Sequence, residues 1–119
     1  MAVNTGLSRS ANSEILAHLR TLRASLGQAR DALMHYREDR LDRDRLEPAA
    51  RRVDDLMNMY ASSSRNPEQG AVWISEILGG VEGITNPKAA AALREARVHI
   101  TALLEVMGSE AKRAQNEFN

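Results

Sequence analysis

The chain contains no cysteine, which excludes a disulfide framework, a thiolate zinc site and a thiol nucleophile. Aromatic residues are almost as scarce: Trp73, Tyr36, Tyr60 and Phe118 are the whole set. A core with so few large rings has to be built from Leu, Ile, Val, Ala and Met. Runs of β-branched residues that would mark strands are missing too, so helix-on-helix packing is favoured over a sandwich. Net charge is zero, which removes the positive excess on which non-specific nucleic-acid affinity depends. No apolar run approaches the roughly 20 residues of a membrane span, and the first nine residues lack an apolar core of signal-peptide length. The expectation is a soluble, cytoplasmic protein with no membrane contact.

What is present fits one domain over residues 1–119, with 43% hydrophobic and 27% charged residues. The dominant feature is a seam. Ile15, Leu19, Leu22, Leu26, Ala29, Leu33 and Tyr36 recur at alternating steps of four and three, the heptad rhythm of a long helix with one apolar stripe. Ser10 or Asn12 is expected to cap that helix, with residues 1–11 a frayed arm before it and Glu38 near its end. Gly27 and Ala29 thin the stripe, so that a neighbouring helix could approach closely there. Arg23, Arg30 and Arg37 fall in one register beside the stripe, where arginine stems cover apolar surface and the heads offer charge to a carboxylate.

From Glu38 to Glu47 the period is lost among alternating acids and arginines, which reads as a turn or a helix end with local ion pairs. Asp44 with Glu47 has capping-box spacing, Pro48 suits a first turn, and Leu46, Ala50, Val53, Met57 and Tyr60 resume the rhythm. A second helix is therefore expected over Leu46–Ala61. The serine-rich stretch 62–66 is a loop. Asn66-Pro67 opens a third helix whose segment AVWISEIL is apolar nearly all round, with Gly79-Gly80 the expected stop and a continuation to Gly83 the alternative. Asn86-Pro87 repeats the start signal. A fourth, long helix runs to about Gln115 with Leu93, Ala96, Ile100, Leu103 and Met107 as its stripe, and a polar tail over 112–119 follows. The fold class is all-α, a four-helix bundle-like domain of two long and two short helices. Two long stripes outrun two short helices, so a homodimer is expected.

No catalytic, metal or nucleotide motif stands out. Each histidine has a carboxylate four residues earlier (Glu14/His18, Asp31/His35, Glu95/His99). Helical carboxylate metal sites instead use Glu-x-x-His with further inward glutamates. The adjacent acids Glu38-Asp39 and Asp54-Asp55 diverge on a helix and make no acid/base dyad. The glycines of GGVEG lack the strand and the Lys-Ser/Thr of a phosphate loop. The chain is read as a non-enzyme without metal or cofactor that acts through protein contact, as a small regulator. A helical structural or secretion-type adaptor or chaperone is the alternative, and a small DNA-binding regulator the third reading.

Trp73 carries two readings, a core anchor or a contact for a partner. In the second, Trp73, Ile74, Ile77 and Leu78 form an apolar ridge that enters a groove on another protein, with Arg23, Arg30 and Arg37 as a further contact row. In length, in helix-rich Arg/Ala composition and in the run AVWISEILGGVEGITNP, the chain resembles the small all-helical quorum-sensing antiactivators of pseudomonads. That resemblance implies a dimeric protein that binds a LuxR-type transcription factor and blocks its dimerisation, with no direct contact to nucleic acid. It assigns no functional residues.

Overall fold

Four helices bury residues at the same alternating steps of four and three. They are α1 (Ala2–Ala32), α2 (Arg40–Ala61), α3 (Pro67–Glu82) and α4 (Pro87–Phe118), with a 3-10 turn at Arg37–Asp39 before α2. The computed structural model describes residues 2–62 and 66–118, and side chains over 12–62 and 66–109. Residues 63–65 of the expected loop, and the side chains of the expected arm and tail, lie outside the described residues. α1 and α3 each pack on both α2 and α4, while neither diagonal pair touches among the described residues. With short connections this cyclic order is an up-and-down four-helix bundle. Among the described residues no helix is long and apolar enough to cross a membrane.

The stripes of α1 and α4 form the centre of the core. Ile15, Leu19, Leu22, Leu26, Ala29 and Leu33 are buried against Leu93, Ala96, Ile100, Leu103 and Met107. Both stripes are covered within one chain, so the uncovered apolar edge on which a homodimer was expected is not there among the described residues. The line of α1 also ends sooner than its spacing predicts. Helix α1 stops at Ala32, and Tyr36 stands 61% exposed. The Arg43 guanidinium takes the Leu33 and Tyr36 carbonyls at 2.5 and 2.8 Å, terminating the helix. At the other end α1 begins at Ala2, ahead of the expected caps. Asn12, inside the helix, donates its side-chain amide to the Tyr60 carbonyl at 2.9 Å.

Helix α2 starts six residues before the expected Leu46, and Pro48 lies inside it rather than in its first turn. Its buried line is Asp42, Leu46, Ala49, Val53, Leu56 and Tyr60. The rhythm is unbroken, but its first member is a carboxylate, which hydrophobic spacing cannot register. Ala49 and Leu56 replace the expected Ala50 and Met57, which are half-buried. Asp42 accepts hydrogen bonds from the backbone N–H groups of Thr85 and Asn86, at 3.0 and 2.8 Å, and from the Thr85 hydroxyl. Asp39 accepts from the Asn86 side-chain amide at 3.1 Å. Arg45 donates to the Gly83 carbonyl beyond the end of α3. The acid-and-arginine run thus fastens three other helix ends, and also forms the expected kind of local ion pair, Arg40 with Asp44 at 4.0 Å.

The two Asn-Pro starts cap as expected: Asn66 accepts from Gln69 N at 3.1 Å, and Asn86 from Lys88 and Ala89 N at 2.9 and 3.0 Å. Helix α3 continues through Gly79-Gly80 to Glu82, contrary to the expected stop. The reason is packing. A Cβ at Gly80 would sit 2.9 Å from the Arg45 carbonyl oxygen and 3.1 Å from Ala49 Cβ, and one at Gly70 would strike the end of Met107. These glycines let α3 approach α2 and α4 closely, whereas a Cβ at Gly79 would meet nothing.

Replacing Gly79 by Ala is therefore expected to raise stability by about 0.5–1 kcal/mol. Its neighbour changed the same way, Gly80→Ala, should cost about 1–3 kcal/mol by forcing α2 and α3 apart. Urea midpoints of the two variants should move in opposite directions. Asp42→Ala leaves the part-buried N–H donors of Thr85 and Asn86 without their carboxylate, and a loss of about 1–3 kcal/mol is expected. Asn86→Ala removes one cap and should cost nearer 1 kcal/mol in the same assay.

Candidate interaction surface

Helix α3 lies between α2 and α4, so its inward line is Gly70, Ile74, Ile77 and Val81. Residues one step away on the helix fall on its flanks. This divides the apolar ridge that the sequence predicts: Ile74 and Ile77 are fully buried in the core, while Trp73 and Leu78 are half-buried beside it. The four do not form a raised surface, because a 3.6-residue period cannot turn 73, 74, 77 and 78 outward together on a helix packed from two sides. The exposed apolar residue of this segment is Val72.

Trp73 is also engaged by its own chain. The Arg52 guanidinium carbon sits 5.5 Å from the ring centroid, within range of a cation–π attraction. Arg52 Nε donates to Glu76 Oε2 at 2.5 Å and Nη1 to Asp55 Oδ2 at 3.2 Å. The Glu76 bond first, then desolvation acting in the opposite sense, then the Asp55 bond, leave the Arg52 charge held above its ordinary range. An arginine from α2 thus lies over the tryptophan of α3, fixed by a carboxylate from each helix.

The three arginines of the α1 register are separated as well. Arg37 belongs to the 3-10 turn, because α1 has ended five residues before it. Arg23 and Arg30 remain on one flank of α1. Arg23 makes an ion pair with Asp54 of α2 at 3.4 Å, both exposed, while the Arg30 side chain has no ion pair or hydrogen bond among the described residues. Between the two arginines opens a groove of about 170 Å³, lined by Arg23, Leu26, Gly27, Arg30, Ala50, Val53 and Asp54. Gly27 was expected to admit a neighbouring helix. It faces open space instead, with nothing within 4 Å of a Cβ built on it, while Ala29 is buried in the core. The groove thus opens over Gly27 and Ala50, with Arg23 paired to Asp54 and Arg30 without an ion pair on its rim.

Three large apolar residues are exposed here, Met34 and Tyr36 on the connection after α1 and Leu41 in the first turn of α2. Spacing placed Tyr36 in the seam and treated Leu41 as part of a charged run, so this cluster was not anticipated. The only available signal was that Leu41 has no apolar neighbour at helical spacing toward Leu46. Such a surface can hold another polypeptide by apolar contact and charge. Among the described residues no group of three or more His, Asp or Glu side chains is placed to hold a metal ion. No family model, curated protein or solved structure matches the chain.

Proposed function

We propose that this protein is a small regulator that works by binding another protein, and that the α1–α2 face is its contact surface. The observation that carries the reading is the groove at Gly27. It opens at Gly27, beside half-buried Ala50 and over the buried Leu26 and Val53, and Arg30 stands on its rim without an anionic partner among the described residues. A domain that buries its seams this completely leaves a channel here beside a cation that has no ion pair among the described residues. The complementary ligand is a helix or extended segment with a small apolar side chain and a carboxylate about one helical turn away. Met34 and Tyr36, exposed on the α1–α2 connection, and Leu41, exposed at the start of α2, would extend the contact beyond Arg30. Large apolar side chains of that kind tend to dominate interface energies once a partner dries them.

The resemblance to quorum-sensing antiactivators names the first partner class to test, a LuxR-type transcription factor whose dimerisation is blocked. The direct experiment titrates the purified chain into such an activator and reads complex formation by size exclusion and calorimetry. Gly27→Leu fills the groove from a Cβ position with nothing within 4 Å and should leave the melting temperature unchanged or slightly higher, since leucine is the better helix former by up to about 1 kcal/mol. It should weaken binding at least about tenfold, equal to about 1.4 kcal/mol. Arg30→Glu should do the same through charge. Full binding by both folded variants would remove the α1–α2 face from the reading.

A further inference from the structure

His18 of α1 and His99 of α4 face each other across the helix pair that forms the centre of the core. Their Nδ1 atoms are 2.7 Å apart, with ring centroids at 5.0 Å and the planes tilted by 53°. Both side chains are largely buried, at 23% and 19% exposure. Each Nε2 points back along its own helix to the carboxylate four residues earlier, Glu14 at 3.9 Å and Glu95 at 3.8 Å. No charged group of α2 or α3 makes an ion pair or hydrogen bond with either ring among the described residues. The result is a four-membered array, Glu14–His18–His99–Glu95, with approximate twofold character about the contact between the rings.

A contact of 2.7 Å between two nitrogens requires one to donate and the other to accept. We infer that His18 and His99 share a single Nδ1 proton and that this bond makes the α1–α4 contact sensitive to pH. With a proton on each Nε2 toward its carboxylate and one between the Nδ1 atoms, no like groups face each other. The two rings then carry one positive charge between two negative ones. Removing a proton sets an Nε2 lone pair against a carboxylate, or leaves the Nδ1 atoms with nothing between them. Adding one drives two N–H groups into a gap of 2.7 Å, beside core residues that resist displacement. The native array thus fits one proton count, and departure in either direction favours the unfolded chain, whose rings titrate independently. The pair lies within two turns of Asn12, which ties α1 to the end of α2. Its loss would loosen α1 from α4 at the end of the bundle opposite the Asp42 caps.

Nitrogen NMR of the uniformly labelled full chain tests the shared proton directly. One ring of the pair should show the Nδ1–H form and a resolved nitrogen–nitrogen coupling to Nδ1 of the other. Exposed His35, with no partner among the described residues, serves as the reference ring. Two rings with Nε2–H alone and no coupling would overturn the proposal. The second measurement compares melting temperatures of the wild type and the double variant His18→Gln/His99→Gln from pH 5 to 8.5. The wild-type advantage should be largest between these limits and shrink by roughly 4 °C or more toward each. A difference independent of pH would overturn the sensitivity even if the coupling is present.

Discussion

The bundle depends on how the first two turns of α2 meet the ends of the other helices. Each helix end leaves backbone groups without an intrahelical partner, and three such ends gather where α2 begins. Asp42 accepts from the N–H groups of Thr85 and Asn86 at the start of α4, Arg43 donates to the carbonyls at the end of α1, and Arg45 donates to the carbonyl of Gly83 after α3. Every charge has the sign that the helix dipole favours there, negative at an N-terminus and positive at two C-termini. Bonds in which one partner is ionised are also the stronger kind. One short segment thereby sets the lengths of α1 and α3 and the entry angle of α4, and so fixes which stripe residues face one another.

Packing follows from that arrangement. The stripes of α1 and α4 supply the large aliphatic side chains, and α2 adds Leu46, Val53, Leu56 and Tyr60. Helix α3 is the shortest and can close the bundle only by coming near. Gly70 and Gly80 meet that requirement at the two contacts where any Cβ would collide. The cost to helix propensity of two interior glycines, roughly 1 kcal/mol each, is offset by the apolar surface that Ile74, Ile77 and Val81 remove from water. Gly27 is a helical glycine of the other kind. It faces nothing, and its effect is to leave a channel on the surface between α1 and α2.

The two ends of the bundle are held by different chemistry. Charged caps bind the end at Asp42 and Asn86. At the opposite end the ties among described side chains are the Asn12 bond to Tyr60, the packing of Met107 on Gly70, and, two turns further in, the facing histidines. Fixed carboxylate and guanidinium charges change little across the physiological pH range, whereas imidazole is the side chain that does. The proposed contact face lies along α1 and α2 between these ends, on the helix that the histidine pair joins to α4. Any loosening of α1 at that pair would act on the same helix that carries Arg23, Gly27 and Arg30.

The sequence by itself determined the helices that announce themselves locally. The aliphatic spacing from Ile15 to Leu33 and from Leu93 to Met107, and the caps at Asn66 and Asn86, need only the helical period and a side chain's reach to its own backbone. Heptad spacing also identified an all-α bundle with two long members. Tertiary structure decided whatever depends on a partner far along the chain. Asp42 occupies an inward position because donors 43 and 44 residues away meet it, so α2 starts where hydrophobic pattern reads a charged turn. Tyr36 leaves the seam because Arg43 ends α1 before it. Gly79-Gly80, a stop signal in isolation, stays helical because α2 lies close enough to require glycine. The expected ridge of Trp73, Ile74, Ile77 and Leu78 was divided when two neighbours claimed one face of α3, and the channel at Gly27 exists only once α2 has settled beside α1. A stripe tells a helix to bury one side. Which other side chains fill the remaining angles is set by the helices that arrive there.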